Sequence, residues 1–140
     1  MAMNHYDLNS NLIGVGAFNG AGSVTNTGSS RAFLTIGNNN QNGYFTGLIS
    51  GDLTLVKVGT GTSMSITGLN TFTGATGLSG GTLIVNNLAN IGSPSAIGSG
   101  DATDDSTNAA SLQFNGGTLL YQGANGVIYQ NTQTPSVSTN

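Results

Sequence analysis

The chain has 140 residues, a formal net charge of −3 and only two strong cations, Arg31 and Lys57. That is length for one domain, with too little positive charge to neutralise a nucleic-acid backbone. No apolar run approaches the ~20 residues that a helix needs to cross a bilayer, so nucleic acid and a helical membrane span are both set aside.

Gly, Asn, Thr and Ser fill just over half the chain, while Glu and Cys are absent. So polar a composition fits either low-complexity disorder or a thin repetitive β structure with a narrow core. Disordered chains are usually highly charged, and this one is not. Its aliphatic residues are also regularly placed, which favours the β reading. No stretch reads as a helix, because Gly, Asn, Ser and Thr interrupt every window long enough to propagate one.

Taken in order, residues 1–19 form an N-terminal segment or first coil. They open on Met1-Ala2-Met3-Asn4-His5, with neither a basic start nor an apolar stretch, so any export signal is expected outside the chain. Missing cysteine fits passage through an oxidising compartment, where nothing could be mispaired. Residues 20–130 then show short strands of period-2 alternation bounded by Gly or Asn. The clearest are Ala32–Ile36, Leu53–Val56, Met64–Thr67, Thr82–Val85, Leu112–Phe114 and Thr118–Tyr121. Gly22–Thr25, Tyr44–Thr46 and Val127–Tyr129 are weaker.

Val24, Leu34, Phe45, Leu55 and Ile66 follow one another at intervals of 10, 11, 10 and 11. A strand about every ten residues fits a hairpin meander or a coil that always turns the same way. Asn42-Gly43 and Asn125-Gly126 suit hairpins, whereas most other corners are Thr-Gly or Gly-Thr. Two or three strands per coil give a rung of roughly 20–30 residues, within the range of repeat architectures.

On the coil reading, alternate residues enter a narrow core. Leu34, Ile36, Leu53, Leu55, Met64, Ile66, Leu83, Val85, Leu112, Phe114, Leu119 and Tyr121 are predicted inward. Thr35, Thr54, Ser65, Ile84 and Gln113 are predicted outward. The rhythm breaks around residues 86–110, where Pro94, small residues and three aspartates predict a long loop or a distorted coil protruding from the solenoid. Residues 131–140, with Pro135, form a polar tail.

Within this pattern Leu53-Thr54-Leu55-Val56-Lys57-Val58-Gly59-Thr60-Gly61-Thr62 is followed by Asn70-Thr71-Phe72-Thr73-Gly74-Ala75-Thr76 and then by Gly80-Gly81-Thr82-Leu83-Ile84-Val85. The run resembles the passenger-associated transport repeat of bacterial autotransporters. Its turn motif falls on Asn70, Thr71, Phe72, Thr73 and Gly74, with Phe72 where tyrosine is commoner. Ser95-Ala96-Ile97-Gly98 and Ala110–Tyr121 are similar to segments that follow this repeat, so the likeness covers about residues 20–123. It implies a right-handed parallel β-helix displayed outside the cell, of about five to seven rungs here. It also implies a scaffold without catalytic residues or cofactors.

The candidate chemistry is sparse. His5 has no Cys, Glu or second His to share a metal. Asp101, Asp104 and Asp105 are oxygen donors for Ca²⁺ but lack the spacing of a known calcium loop, so a solvated loop is the expectation. A polysaccharide lyase or hydrolase needs facing carboxylates or a positioned base. Among the regular coils only Arg31, Asp52 and Lys57 are charged, and Asp52 and Lys57, five apart, fall on opposite faces of a strand. Gly14-x-Gly16 precedes no helix and reads as a turn. Outward threonines do not repeat in register, as a flat ice-binding face would require. The sequence therefore points to an extracellular structural or adhesive module without catalysis. The alternative is a subunit of a filament built by end-to-end self-association, since bare coil ends expose unpaired backbone groups. The host surface or matrix ligand is not named by any motif.

Overall fold

The structure is a computed structural model and describes residues 5–102, 111–123 and 128–130. Among these residues there are thirteen strands and no helix. β1 (His5–Asp7), β3 (Ser23–Asn26) and β6 (Leu48–Gly51) form one sheet. β2 (Leu12–Val15), β4 (Ala32–Ile36), β7 (Leu53–Lys57), β9 (Thr76–Leu78) and β11 (Leu112–Phe114) form a second. β5 (Gly43–Phe45), β8 (Ser63–Ile66), β10 (Thr82–Val85), β12 (Thr118–Gln122) and β13 (Ile128–Gln130) form the third.

Every pairing among β1 to β12 is parallel and joins strands one coil apart on the same face. Successive strands in the chain therefore belong to different sheets, and the path is a coil rather than a meander. The chain is a parallel β-solenoid.

In the second sheet Leu12 pairs with Phe33 and Phe33 with Thr54, a step of 21 residues each time. The same step joins Leu55 to Thr76, but the next, Thr76 to Leu112, takes 36. The solenoid makes about four turns, fewer than the five to seven rungs expected. The long last step consumes chain that the regular period would have spent on another coil. The ten-residue rhythm is the alternation of the second and third faces: Leu34 stacks on Leu55, and Phe45 on Ile66. Val24 instead stacks on Ile49 of the first face, whose strand β6 has too short an apolar stretch to stand out in the sequence.

Because register is exact at each level, inward side chains form columns through the core. One runs Ile13, Leu34, Leu55, Thr76, Leu112, and another runs Phe45, Ile66, Val85, Tyr121. Leu34, Ile36, Leu53, Leu55, Met64, Ile66, Leu83, Val85 and Leu119 are buried, while Leu112, Phe114 and Tyr121 are partly buried and packed against them. Phe18 and Phe45 stack in the same core, ring centroids 4.3 Å apart. Burying an aliphatic side chain in this way contributes about 1.5–3 kcal/mol.

The final strand departs from expectation. β13 runs antiparallel to β12, with Tyr121 opposite Tyr129, so Ile128–Gln130 is not a further parallel rung. Only residues 123–127 separate the two strands, a hairpin-length connection far too short for another coil.

Residues 86–102 contain no strand but do not leave the stack. Ser95 and Ala96 are buried, and Asn70 and Ser95 exchange backbone bonds of 3.0 and 3.1 Å in an antiparallel bridge. Residues 86–102 thus pack on the stack at Ser95 and Ala96 instead of protruding there, and residues 103–110 lie outside the described residues. The polar tail, 131–140, lies outside the described residues.

Candidate functional site

Three buried polar side chains hold the corners between coils. Asn26 Oδ1 accepts the Ser10 and Gly28 N–H groups at 2.8 and 3.1 Å, and its Nδ2 donates to the Ser30 and Asp52 carbonyls at 2.8 and 2.6 Å. One amide thereby ties three successive coils. Asn70 does the same further along. Its Oδ1 accepts Ile49 N–H at 2.8 Å and its Nδ2 donates to Ala96 carbonyl at 3.0 Å. Buried polar groups persist only when bonded in this way.

The turn motif is built around that amide. Thr71 and Thr73 N–H donate to the Ile49 and Gly51 carbonyls, extending the first sheet by one level. Phe72 is fully buried, and its carbonyl accepts Ser99 N–H at 3.0 Å and Gly100 N–H at 3.2 Å. Gly74 has to be glycine, since a Cβ there would lie 2.1 Å from the Leu53 carbonyl oxygen.

The third corner is Lys57, which sequence reasoning left unassigned. It continues the inward column of Ile36 and Leu78 and is fully buried. Its ammonium donates to the Val58 carbonyl, to Thr62 Oγ1 at 3.0 Å, and to the Gly80 and Gly59 carbonyls at 3.3 and 3.4 Å. Burial lowers its pKa from the ordinary lysine value. The available signal was strict alternation: Leu53 and Leu55 inward put position 57 inward too. The rarity of buried lysine argued against reading it that way.

Asp52 lies on the other side of the wall, just before β7, where its carboxylate pairs with the Arg31 guanidinium. Lys57 and Asp52 are thus separated by the sheet. His5 is exposed and bonded to Ser23 Oγ at 2.7 Å. Asp101 is placed, whereas Asp104 and Asp105 lie outside the described residues. Among the described residues no group of three or more His, Cys, Asp or Glu side chains could hold a metal ion.

A shallow trough of about 370 Å³ crosses the outer face of the second sheet. Its lining includes Arg31 and Phe33 at one end, Thr54, Val56, Ala75, Gly77 and Ser79 beneath, and Gln113 and Asn115 at the other end. The outward column below it runs Gly14, Thr35, Val56, Gly77, Gln113, so side-chain bulk falls away in the middle and returns at β11. This mixed column forms no threonine ladder.

Parallel coils, aliphatic inner columns and asparagine-held corners define a β-solenoid scaffold with a concavity on the outer face of its second sheet. Across 114 residues, 81% of the chain, it is 38% identical to the adhesin BmaC autotransporter of Brucella suis biovar 1 (strain 1330), of which it spans 3%. No family model and no solved structure matches. The coil stack and this relative together make the chain an autotransporter-passenger-type β-solenoid.

Proposed function

We propose that the chain is a surface-displayed passenger segment that acts as a rigid stalk and adhesive surface, without catalysis. The observation that carries the reading is the likeness to an autotransporter adhesin over four fifths of the chain, on a solenoid whose side chains are spent on stacking. The charged groups support the non-catalytic part. Lys57 is enclosed by carbonyls, and Asp52 and Arg31 neutralise one another. Among the described residues no helix is long and apolar enough to cross a membrane. An extracellular location is supported by the relative's name alone.

The test is adhesion of the isolated chain. Beads coated with it should bind cultured host cells or extracellular matrix above the level of beads coated with the unfolded chain. Equal binding by the two would remove the adhesive reading. Turnover of a polysaccharide that Asp52→Asn abolished would remove the scaffold reading.

End-to-end self-association is a second reading, favoured by one observation. At the β2 edge Leu12 is 75% exposed, and Ile13 and Val15 are only partly buried. An added coil would cover Ile13 and Val15 and part of Leu12, whose outward column neighbour Phe33 stays 43% exposed between two coils. The antiparallel β13 covers β12 in the third sheet, so addition at that end would have to begin on β11. Sedimentation that shifts with concentration in the wild type but not in Leu12→Lys is the expected result of this reading. A monomer at every concentration would contradict it.

A further inference from the structure

Gly77 is a mid-strand glycine that folding does not explain. Several other glycines of these coils have backbone reasons: a Cβ on Gly47 would lie 1.8 Å from the Gly22 carbonyl oxygen, and one on Gly68 2.0 Å from that of Gly47. Gly77 sits in the middle of β9 without a positive φ. The nearest atoms to a Cβ there are the Val56 methyls at 3.9 Å, an ordinary contact. A β-branched residue would fit and would suit the strand better, whereas glycine weakens it. A strand glycine with no packing reason marks a place where something else approaches the backbone closely. The trough opens over this position.

Its walls say what could approach. Phe33 offers a ring that is 43% exposed. Gln113 and Asn115 stand at the far end, and the Arg31 guanidinium, held by Asp52, stands beside Phe33. One apolar ring among planar donors and acceptors suits a molecule with C–H faces and a rim of hydroxyls. The pocket volume is at the small end for ligand sites, as an open groove for one stretch of a chain would be. A polyanion is disfavoured, since the lone guanidinium is already neutralised and the chain is net negative. An extended peptide is disfavoured because strand addition needs a sheet edge, and here the ladder groups under the trough are already paired.

We propose that the trough binds a linear neutral oligosaccharide. One sugar ring lies over Gly77 and a neighbouring ring of the same chain sets its C–H face on Phe33, two strands away, while hydroxyls along the chain bond to the Arg31–Asp52 pair at one end and to the amides of Gln113 and Asn115 at the other. The proposal rests on the adhesive reading and names its ligand class.

The test is an amide-resonance titration of the wild type, Gly77→Val and Phe33→Ala. The probes are cellohexaose, maltohexaose, N-acetylchitohexaose and a sulfated heparin-type hexasaccharide. At least one neutral oligomer should shift the Val56, Gly77 and Gln113 resonances saturably. Gly77→Val should weaken that binding at least tenfold while its Tm stays level or rises, and Phe33→Ala should weaken it similarly. The proposal is overturned if no neutral oligomer binds, if Gly77→Val binds normally, or if only the sulfated oligomer binds. A lowered Tm for Gly77→Val would also overturn it, by giving the glycine a packing reason. Coated beads separate the two levels. Adhesion without any oligosaccharide response removes only the ligand class, and no adhesion by the wild type removes the reading beneath it.

Discussion

The coils from β3 to β10 and the turn that follows them solve the same stacking problem differently. In the regular coils a step of 21 residues on the second face, 25 from β3 to β6 and 19 from β8 to β10, brings equivalent positions into register, and ladder hydrogen bonds and aliphatic columns do the rest. Beyond β9 the step on the second face lengthens to 36, and the described residues 86–102 contain no strand. Side chains supply the missing bonds there. Asn87 Oδ1 accepts Ala96 N–H at 2.7 Å, Ser95 Oγ donates to the Gly98 carbonyl at 2.7 Å, and Ser99 Oγ donates to the Thr71 carbonyl at 3.1 Å. A solenoid can therefore absorb an insertion without breaking its stack, provided the coil beneath offers donors and acceptors at its corner. Asn70 and Phe72 are that corner.

The comparison can be broken hardest in the regular part. Leu55→Asp places a carboxylate between Leu34 and Thr76 in a fully buried column and should cost about 4 kcal/mol or more. Thr54→Asp, on the outer face, should cost about 1 kcal/mol or less. Chemical denaturation compares the two, and equal midpoints would mean that inner and outer faces are misassigned.

Next is the joint between the two regions. Asn70→Ala strands the Ile49 N–H and the Ala96 carbonyl, both buried, at a cost of about 2–4 kcal/mol. Hydrogen exchange should show residues 95–100 opening before β7 and β8. Simultaneous opening would mean that the last coil does not depend on this corner.

Lys57→Met should cost about 1–3 kcal/mol, because its carbonyl partners lose their donor while the aliphatic stem remains. The pH dependence follows from the lowered pKa. Between that folded value and 10.5 the folded chain binds fewer protons than the unfolded one, so wild-type stability rises with pH across this window and is flat below it. The variant should lack the rise. A parallel rise in both proteins would assign it to other groups.

Among the losses of buried contacts, the smallest is expected inside the irregular coil. Asn87→Ala loses the bond to Ala96 N–H beside exposed residues, worth about 0.5–1.5 kcal/mol. A loss as large as that of Asn70→Ala would contradict the order of importance drawn here.

Much of the regular region was legible because its signals are local. Leu34, Leu55 and Ile66 alternate with polar residues inside single strands, and the Asn70–Gly74 motif marks its own corner. What escaped depends on contacts distant in sequence. Lys57 is acceptable inside only because the Gly80 carbonyl and Thr62 converge on it from two coils. Ser95 and Ala96 are short side chains with no apolar signal, yet the Asn70 corner buries them. The trough arises because Gly77 lies between Val56 and Gln113, residues 21 earlier and 36 later in the chain. The antiparallel β13 was hidden by a strand pattern that reads alike in either direction.

The central claim is that the chain coils in parallel, with a 21-residue step from β2 through β4 and β7 to β9. Backbone NOEs across the second sheet test it most directly. The account predicts contacts between Leu34 and Leu55 and between Leu55 and Thr76, in the pattern of parallel strands. Antiparallel contacts joining consecutive strands, such as β4 to β5 and β7 to β8, would make the fold a hairpin meander and contradict the account.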